Sequence, residues 1–252
     1  KVFDTSGVGH HSPEERKEIL AEFEREIAVV HGLRHPNVCQ FFGVAVRDPI
    51  YCIVFEFVEG GALTDLLRDS GRQYDFFHIA SGVASGMQYL HARNILHRDL
   101  KSGNVLVGRN GCVKIADFGL SCFTVEGQDL TAETGTYRWM APEVIRHEPY
   151  STAADVYSFG IVLWELLTRD QPYRGLSPIQ AAFAVARQGF RPPLPHKTPS
   201  RLAALMRRCW NEDQTLRPSF MDISAMLDGI SESIRSDYSQ NSEPKVAHIS
   251  NS

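Results

Sequence analysis

One stretch limits the architecture more than any other: STAADVYSFGIVLWELLT, residues 151–168. Its side chains are apolar nearly all round, with Ser151 placed as a cap and Asp155 and Glu165 as its only charges. A helix that is hydrophobic on every side must be enclosed on every side or lie in a membrane. Glu165 interrupts the run well short of the roughly eighteen apolar residues that a membrane span requires. The helix is therefore expected at the centre of a helical layer, wrapped by others. With 252 residues and 43% hydrophobic content, the chain can bury a core of that kind, as one large domain or as two lobes.

Candidates for the wrapping are easily found. YDFFHIASGVASGMQYLHA puts Ile79, Val83, Met87 and Leu90 at helical spacing, and SRLAALMRRCW and RPSFMDISAMLDGI read as further helices. Upstream, SPEERKEILAEFEREIAVV is an amphipathic helix with Ser12 as cap, Pro13 in the first position and Glu15 completing a capping box. Its apolar face is Ile19, Phe23, Ile27 and Val30. QFFGVAV and IYCIVFEFV are two strands joined by a turn at Arg47-Asp48-Pro49, and NVLVG and CVKIADFG are two more around Arg109-Asn110-Gly111. The final SESIRSDYSQNSEPKVAHISNS is serine-rich with little apolar surface and reads as a disordered tail.

Charge and cysteine usage exclude several function classes. A net charge of −4 leaves no basic excess for nucleic acid or an anionic membrane. The five cysteines, 39, 52, 112, 122 and 209, are odd in number and lack a C-x-x-C pair, which favours a reducing, intracellular and cytoplasmic setting. His31, His35 and Cys39 stand four apart, but His35 belongs to an H-P-N turn and a metal site is not expected there. No signal-peptide pattern opens the chain, and a start at Lys rather than Met suggests a cut from something longer.

Chemistry concentrates in ILHRDLKSGNVLVGRNGCVKIADFGL. Asp99 and Asp117 lie 18 residues apart, with a hairpin between them able to fold both onto one site. Carboxylate and carboxamide oxygens there suit Mg²⁺, a hard cation that keeps company with phosphates. A single Asp in a loop is more often a cap or turn residue, so the combination carries the argument. H-R-D-L-K-S-G-N at 97–104 is followed by D-F-G at 117–119 and A-P-E at 141–143.

That order and spacing resemble the eukaryotic protein kinases, over residues 1 to about 229. HRDLKSGN and GTYRWMAPEV are most similar to the tyrosine-kinase-like serine/threonine branch, which includes Raf and the mixed-lineage kinases. RWMAPE also resembles the tyrosine-kinase version of that segment, which leaves dual specificity open. The resemblance implies an α+β, two-lobed fold: a partial small lobe over 1–58, a large helical lobe over 59–229, and the tail over 230–252. It implies transfer of the ATP γ-phosphate to Ser or Thr hydroxyls of a protein substrate, with ATP and Mg²⁺ as cofactors. The rival reading is a pseudokinase-type scaffold that binds partners without catalysis.

Carried over position by position, the resemblance gives Asp99 the substrate hydroxyl proton, Asn104 and Asp117 the Mg²⁺, and Lys101 the charge on the transferred group. A lysine at 101 resembles serine/threonine rather than tyrosine kinases. Lys1 would pair with Glu26 and bind nucleotide phosphate. Phe55 would be the gatekeeper, with Glu56 to Val58 the hinge whose backbone meets adenine. Glu143 and Arg217 would form a buried ion pair, Asp155 would brace the HRD backbone, and Thr136 would contact the catalytic loop. Phosphate on Thr131 or Thr134, from an upstream kinase or by autophosphorylation, would pair with Arg98.

Gly7 and Gly9 in SGVGHHS do not form the phosphate-covering loop. They follow Lys1 instead of preceding it, Ser12 stands where G-x-G-x-x-G needs its third glycine, and no G-K-[ST] occurs. The segment reads as a linker into the first helix. The phosphate-covering loop and the family's first two strands are expected to lie outside this chain. That would leave a sheet edge unpaired, apolar surface uncovered and solubility poor.

Overall fold

The computed structural model describes residues 1–5, 13–123 and 136–241. Strands β1 (Val2–Asp4), β2 (Phe41–Arg47) and β3 (Ile50–Phe55) form an antiparallel sheet in the order β1-β3-β2. Its register pairs Phe3 with Tyr51 and Tyr51 with Val46, and a bulge intervenes between Phe41 and Gly43. Helix α1 (Pro13–Val30) lies across the sheet because Phe23 enters edge-on between Phe3 and Tyr51, at centroid distances of 5.4 and 5.5 Å. Phe23 and Val30 are buried and Ile19 and Ile27 pack against the same core, so the apolar face read from the sequence is the one used. Ser12, offered as the cap, lies outside the described residues, as does the 6–12 linker.

Below the sheet come α2 (Leu63–Arg68), α3 (Phe76–His91), and the short strands β4 (Ile95–Leu96), β5 (Val105–Val107), β6 (Val113–Ile115) and β7 (Cys122–Phe123). They are followed by α4 (Pro142–Ile145), α5 (Ala153–Thr168), α6 (Pro178–Gln188), α7 (Ser200–Cys209) and α8 (Phe220–Asn241). Helix α5 is the enclosed one: every residue from Ala154 to Leu166 is buried. Helices α3, α7 and the 3-10 turn at Gln214–Leu216 pack around it. Ile79, Val83, Met87 and Leu90 of α3 are all fully buried, as their spacing requires.

The β5–β6 hairpin closes at Gly111, whose φ of +83° is a conformation that favours glycine. The two layers are stitched by the chain after α1. Val38 bridges to Ile115, Asn37 donates from Nδ2 to the Val113 carbonyl at 2.9 Å, and Cys39 N–H donates to the Ile115 carbonyl at 2.8 Å.

The sequence places a disordered tail from residue 230, and the structure corrects this: α8 continues to Asn241. Ile223, Leu227, Ile230 and Ile234 recur at helical spacing and pack on the core, which carries the helix through a serine-rich stretch. Residues 242–252 lie outside the described range.

Candidate active site

Asp155, buried in the first turn of α5, organises the loop after β4. Its Oδ2 accepts the His97 N–H and its Oδ1 the Arg98 N–H, both at 2.9 Å. His91 Nε2 lies 2.9 Å from the same Oδ2. Burial alone would push this carboxyl up, but the His91 hydrogen bond and the two histidines' fields outweigh it and hold it below the usual range. Held this way, Arg98 adopts a left-handed φ of +67°, a strained conformation for a non-glycine residue.

The strained turn delivers Asp99. Its Oδ2 accepts from Lys101 Nζ at 2.6 Å and from Asn104 Nδ2 at 2.8 Å, while the Asn104 amide also donates to the Asp99 carbonyl at 2.8 Å. Oδ1 is buried without a hydrogen-bond partner. Lys101 Nζ also reaches Thr136 Oγ1 at 3.4 Å. Because the Asn104 nitrogen is committed to Asp99, its carboxamide oxygen is left as the remaining acceptor.

Asp117 arrives from the other side. The Ala116 N–H donates to the Asn104 carbonyl at 2.9 Å, so the residue after Ala116 emerges beside Asn104. Asp117 is also left-handed, at φ +62°, and its Oδ1 sits 3.9 Å from Lys1 Nζ. Phe118 is buried against His97, 5.4 Å between ring centroids. Lys1 Nζ is held by Glu26 Oε2 at 2.6 Å and lies 3.5 Å from Glu22 Oε1. Burial works to lower the Lys1 pKa, but the Glu26 hydrogen bond and the surrounding carboxylates raise it overall, so the ammonium stays charged. At Gly119 an added Cβ would run into that ammonium.

The donor set fits the cofactors expected. One carboxylate and one oriented carboxamide oxygen would hold Mg²⁺, and a Glu-held lysine beside them would meet phosphate oxygens.

A family model described as "Protein tyrosine and serine/threonine kinase" matches residues 9–227. The chain belongs to the protein kinase family. Serine/threonine-protein kinase STY17 of Arabidopsis thaliana is 47% identical over 83% of this chain and 37% of that protein. Serine/threonine/tyrosine-protein kinase HT1 of the same plant is 42% identical over 89% of this chain and 59% of that protein. The chain thus spans between about a third and three-fifths of these curated relatives' length. The similarity is to the tyrosine-kinase-like serine/threonine type that HRDLKSGN and GTYRWMAPEV suggest.

Other kinase positions fall as follows. Glu143 and Arg217 form a fully buried bidentate pair at 2.6 and 2.8 Å. Phe55 packs edge-on to Phe41 at 6.2 Å. At the hinge, Glu56 is more committed than the sequence suggests. Its N–H donates to the Gln40 carbonyl, and its carboxylate takes the Gln40 N–H at 2.6 Å and Lys114 Nζ at 2.8 Å. The Glu56 N–H is therefore not available to a ligand. Val58 is buried beside it. His35 stacks on Tyr89 at 4.7 Å and accepts the Asn37 N–H at Nδ1. Thr131 and Thr134 lie outside the described residues.

Two contributors escaped the sequence reading. Lys114 gave no signal, being one lysine on a short strand. Glu165 gave one, the single acid within the last apolar turns of α5, but only its partners Ser102 and Trp139 give it meaning.

Proposed function

We propose that this domain transfers the γ-phosphate of ATP to serine and threonine hydroxyls of proteins. The observation that carries the reading is the state of Asp99: one carboxylate oxygen pinned by two donors, the other buried and unpartnered. A buried acceptor left open costs stability, roughly 1–3 kcal/mol, and a substrate hydroxyl is the group that would satisfy it.

Asp99 Oδ1 takes the acceptor's O–H hydrogen bond and orients the oxygen for attack. As the new O–P bond forms and the bond to the departing ADP breaks, the hydroxyl proton passes to that carboxylate. Lys101, 2.6 Å from Asp99, neutralises charge growing on the transferred group. Asn104 and Asp117 would hold Mg²⁺, which would supply positive charge to offset that of the phosphates. Lys1, fixed by Glu26, would position the nucleotide, and the hinge backbone at Val58 would meet adenine.

Control through phosphate on Thr131 or Thr134, which would pair with the Arg98 cation, belongs to the same reading. Arg98 lies against the Tyr150 hydroxyl, which burial pushes up to about 12 against the lowering effect of Arg98. Alanine at both threonines lowers activity if this control operates, and unchanged activity removes it. The five cysteines are all free thiols, which suits the intracellular setting proposed.

The test is labelled γ-phosphate transfer to dephosphorylated casein with Mg·ATP, followed by phosphoamino-acid analysis. Label on phosphoserine and phosphothreonine is expected. No label at all would favour the scaffold reading, and label on phosphotyrosine alone would overturn the acceptor class.

A further inference from the structure

The whole-chain charge of −4 hides an uneven distribution. Residues 171–211 carry seven Lys and Arg and not one Asp or Glu, while the rest of the chain sets nineteen cations against thirty acids. This acid-free stretch comprises the loop before α6, α6 itself, the loop after it and α7. Three of its large apolar side chains stand in solvent: Ile179 at 70%, Phe183 at 59% and Phe190 at 46% exposure. The core does not need them, since Ala181, Ala182, Ala184 and Val185 supply the buried face of α6.

The apolar side chains and the cations share one surface. Ile179, Phe183 and Arg187 follow at four-residue spacing along one stripe of α6. The Phe190 ring lies 6.0 Å from that of Tyr173, which sets the loop after α6 beside the loop that carries Arg174. Arg191 Nε donates to the Trp210 carbonyl at 2.9 Å and brings the same loop to the end of α7. Arg187, Lys197, Arg201 and Arg207 have no carboxylate partner among the described residues. An apolar ridge that stands proud needs a matching groove in a protein partner, whereas a fluid headgroup layer admits it without one. Cations spread over two helices and two loops likewise match a field of anionic headgroups better than a single acidic motif.

We propose that α6 and its two flanking loops form a peripheral docking surface for an anionic membrane. Ile179, Phe183 and Phe190 enter the headgroup layer, and Arg174, Arg187 and Lys197 meet the anionic headgroups. The contact goes beyond phosphate transfer and holds whether or not the domain is a working kinase.

Co-sedimentation with phosphatidylcholine vesicles, with and without roughly one-third phosphatidylserine, tests it. The chain is expected to sediment with the anionic vesicles and to stay behind with phosphatidylcholine alone. Release is expected near 1 M salt, where the screening length falls to about 3 Å. Arg187→Gln and Lys197→Gln each lower the partition coefficient about fivefold, and together about twenty-fivefold. Ile179→Ala combined with Phe183→Ala lowers it about tenfold, with the melting temperature unchanged because both side chains are exposed. Phe183→Trp adds indole emission that lipids brominated in their acyl chains quench. Equal sedimentation with both vesicle types, unaltered binding without Ile179 and Phe183, or no quenching would overturn the proposal. So would retention by polyglutamate as strong as by the anionic vesicles, which would assign the surface to an acidic protein.

Discussion

Asp99, Lys1 and Gly119 show how closely single atoms are placed in this site. The Lys1 ammonium touches Glu26, lies near Asp117, and occupies the space a Cβ at position 119 would need. Gly119→Ala therefore pushes the lysine off its carboxylates. Its effect falls on nucleotide binding: the KM for ATP rises roughly tenfold with the melting temperature nearly unchanged, measured by initial rates beside a thermal melt. An unaltered KM would mean that Lys1 does not position the nucleotide. At this scale the grouping of the HRD and DFG residues was legible because local motifs fix their order along the chain. Glu165 and Lys114 were not, because each takes its meaning from partners 26 to 63 positions away.

Helix α5 shows what an element does for the site. Near its start Asp155 holds the HRD turn, and near its end Glu165 holds Ser102 and Trp139. Burial pushes the Glu165 carboxyl up to about 7, against the lowering effect of its hydrogen bonds from Ser102 and Trp139. A folded-state pKa above the unfolded one gives stability that is complete below about pH 4.5 and lost as pH rises through 7. Ionised Glu165 then costs about 3 kcal/mol. Urea midpoints compared from pH 5 to 8 should show Glu165→Gln gaining on the unsubstituted protein as pH rises. A constant difference would contradict the assignment. The pair binding α4 to the loop before α8 has the opposite character. Glu143→Gln leaves Arg217 buried without its countercharge and costs roughly 3–5 kcal/mol, read as a melting temperature lower by about 10 °C. The central burial of α5 was evident from its composition. The last turns of α8 were not, because serines masked the 223, 227, 230, 234 apolar spacing.

For the whole molecule, an α-helical layer built round one enclosed helix meets a three-stranded sheet carrying a single helix, and the groups proposed for catalysis come from the seam. The β5–β6 hairpin brings Asn104 to Asp117, the sheet brings Lys1, and the stitching by Asn37 and Cys39 holds the two layers in register. This convergence was legible only through the order of three motifs, since no local pattern states which loops meet. On the sheet, Val2, Phe42, Val44, Val46 and Val54 remain exposed, consistent with the apolar surface expected there. The central claim is that Asp99 serves the acceptor hydroxyl and not the nucleotide. Single-turnover transfer and Mg·ATP binding by calorimetry, measured on Asp99→Asn and on the unsubstituted protein, separate those roles. The account predicts equal nucleotide affinity with transfer reduced by two to four orders of magnitude, roughly the scale of general-base catalysis. Transfer at the unsubstituted rate, or nucleotide binding lost along with it, would contradict the account.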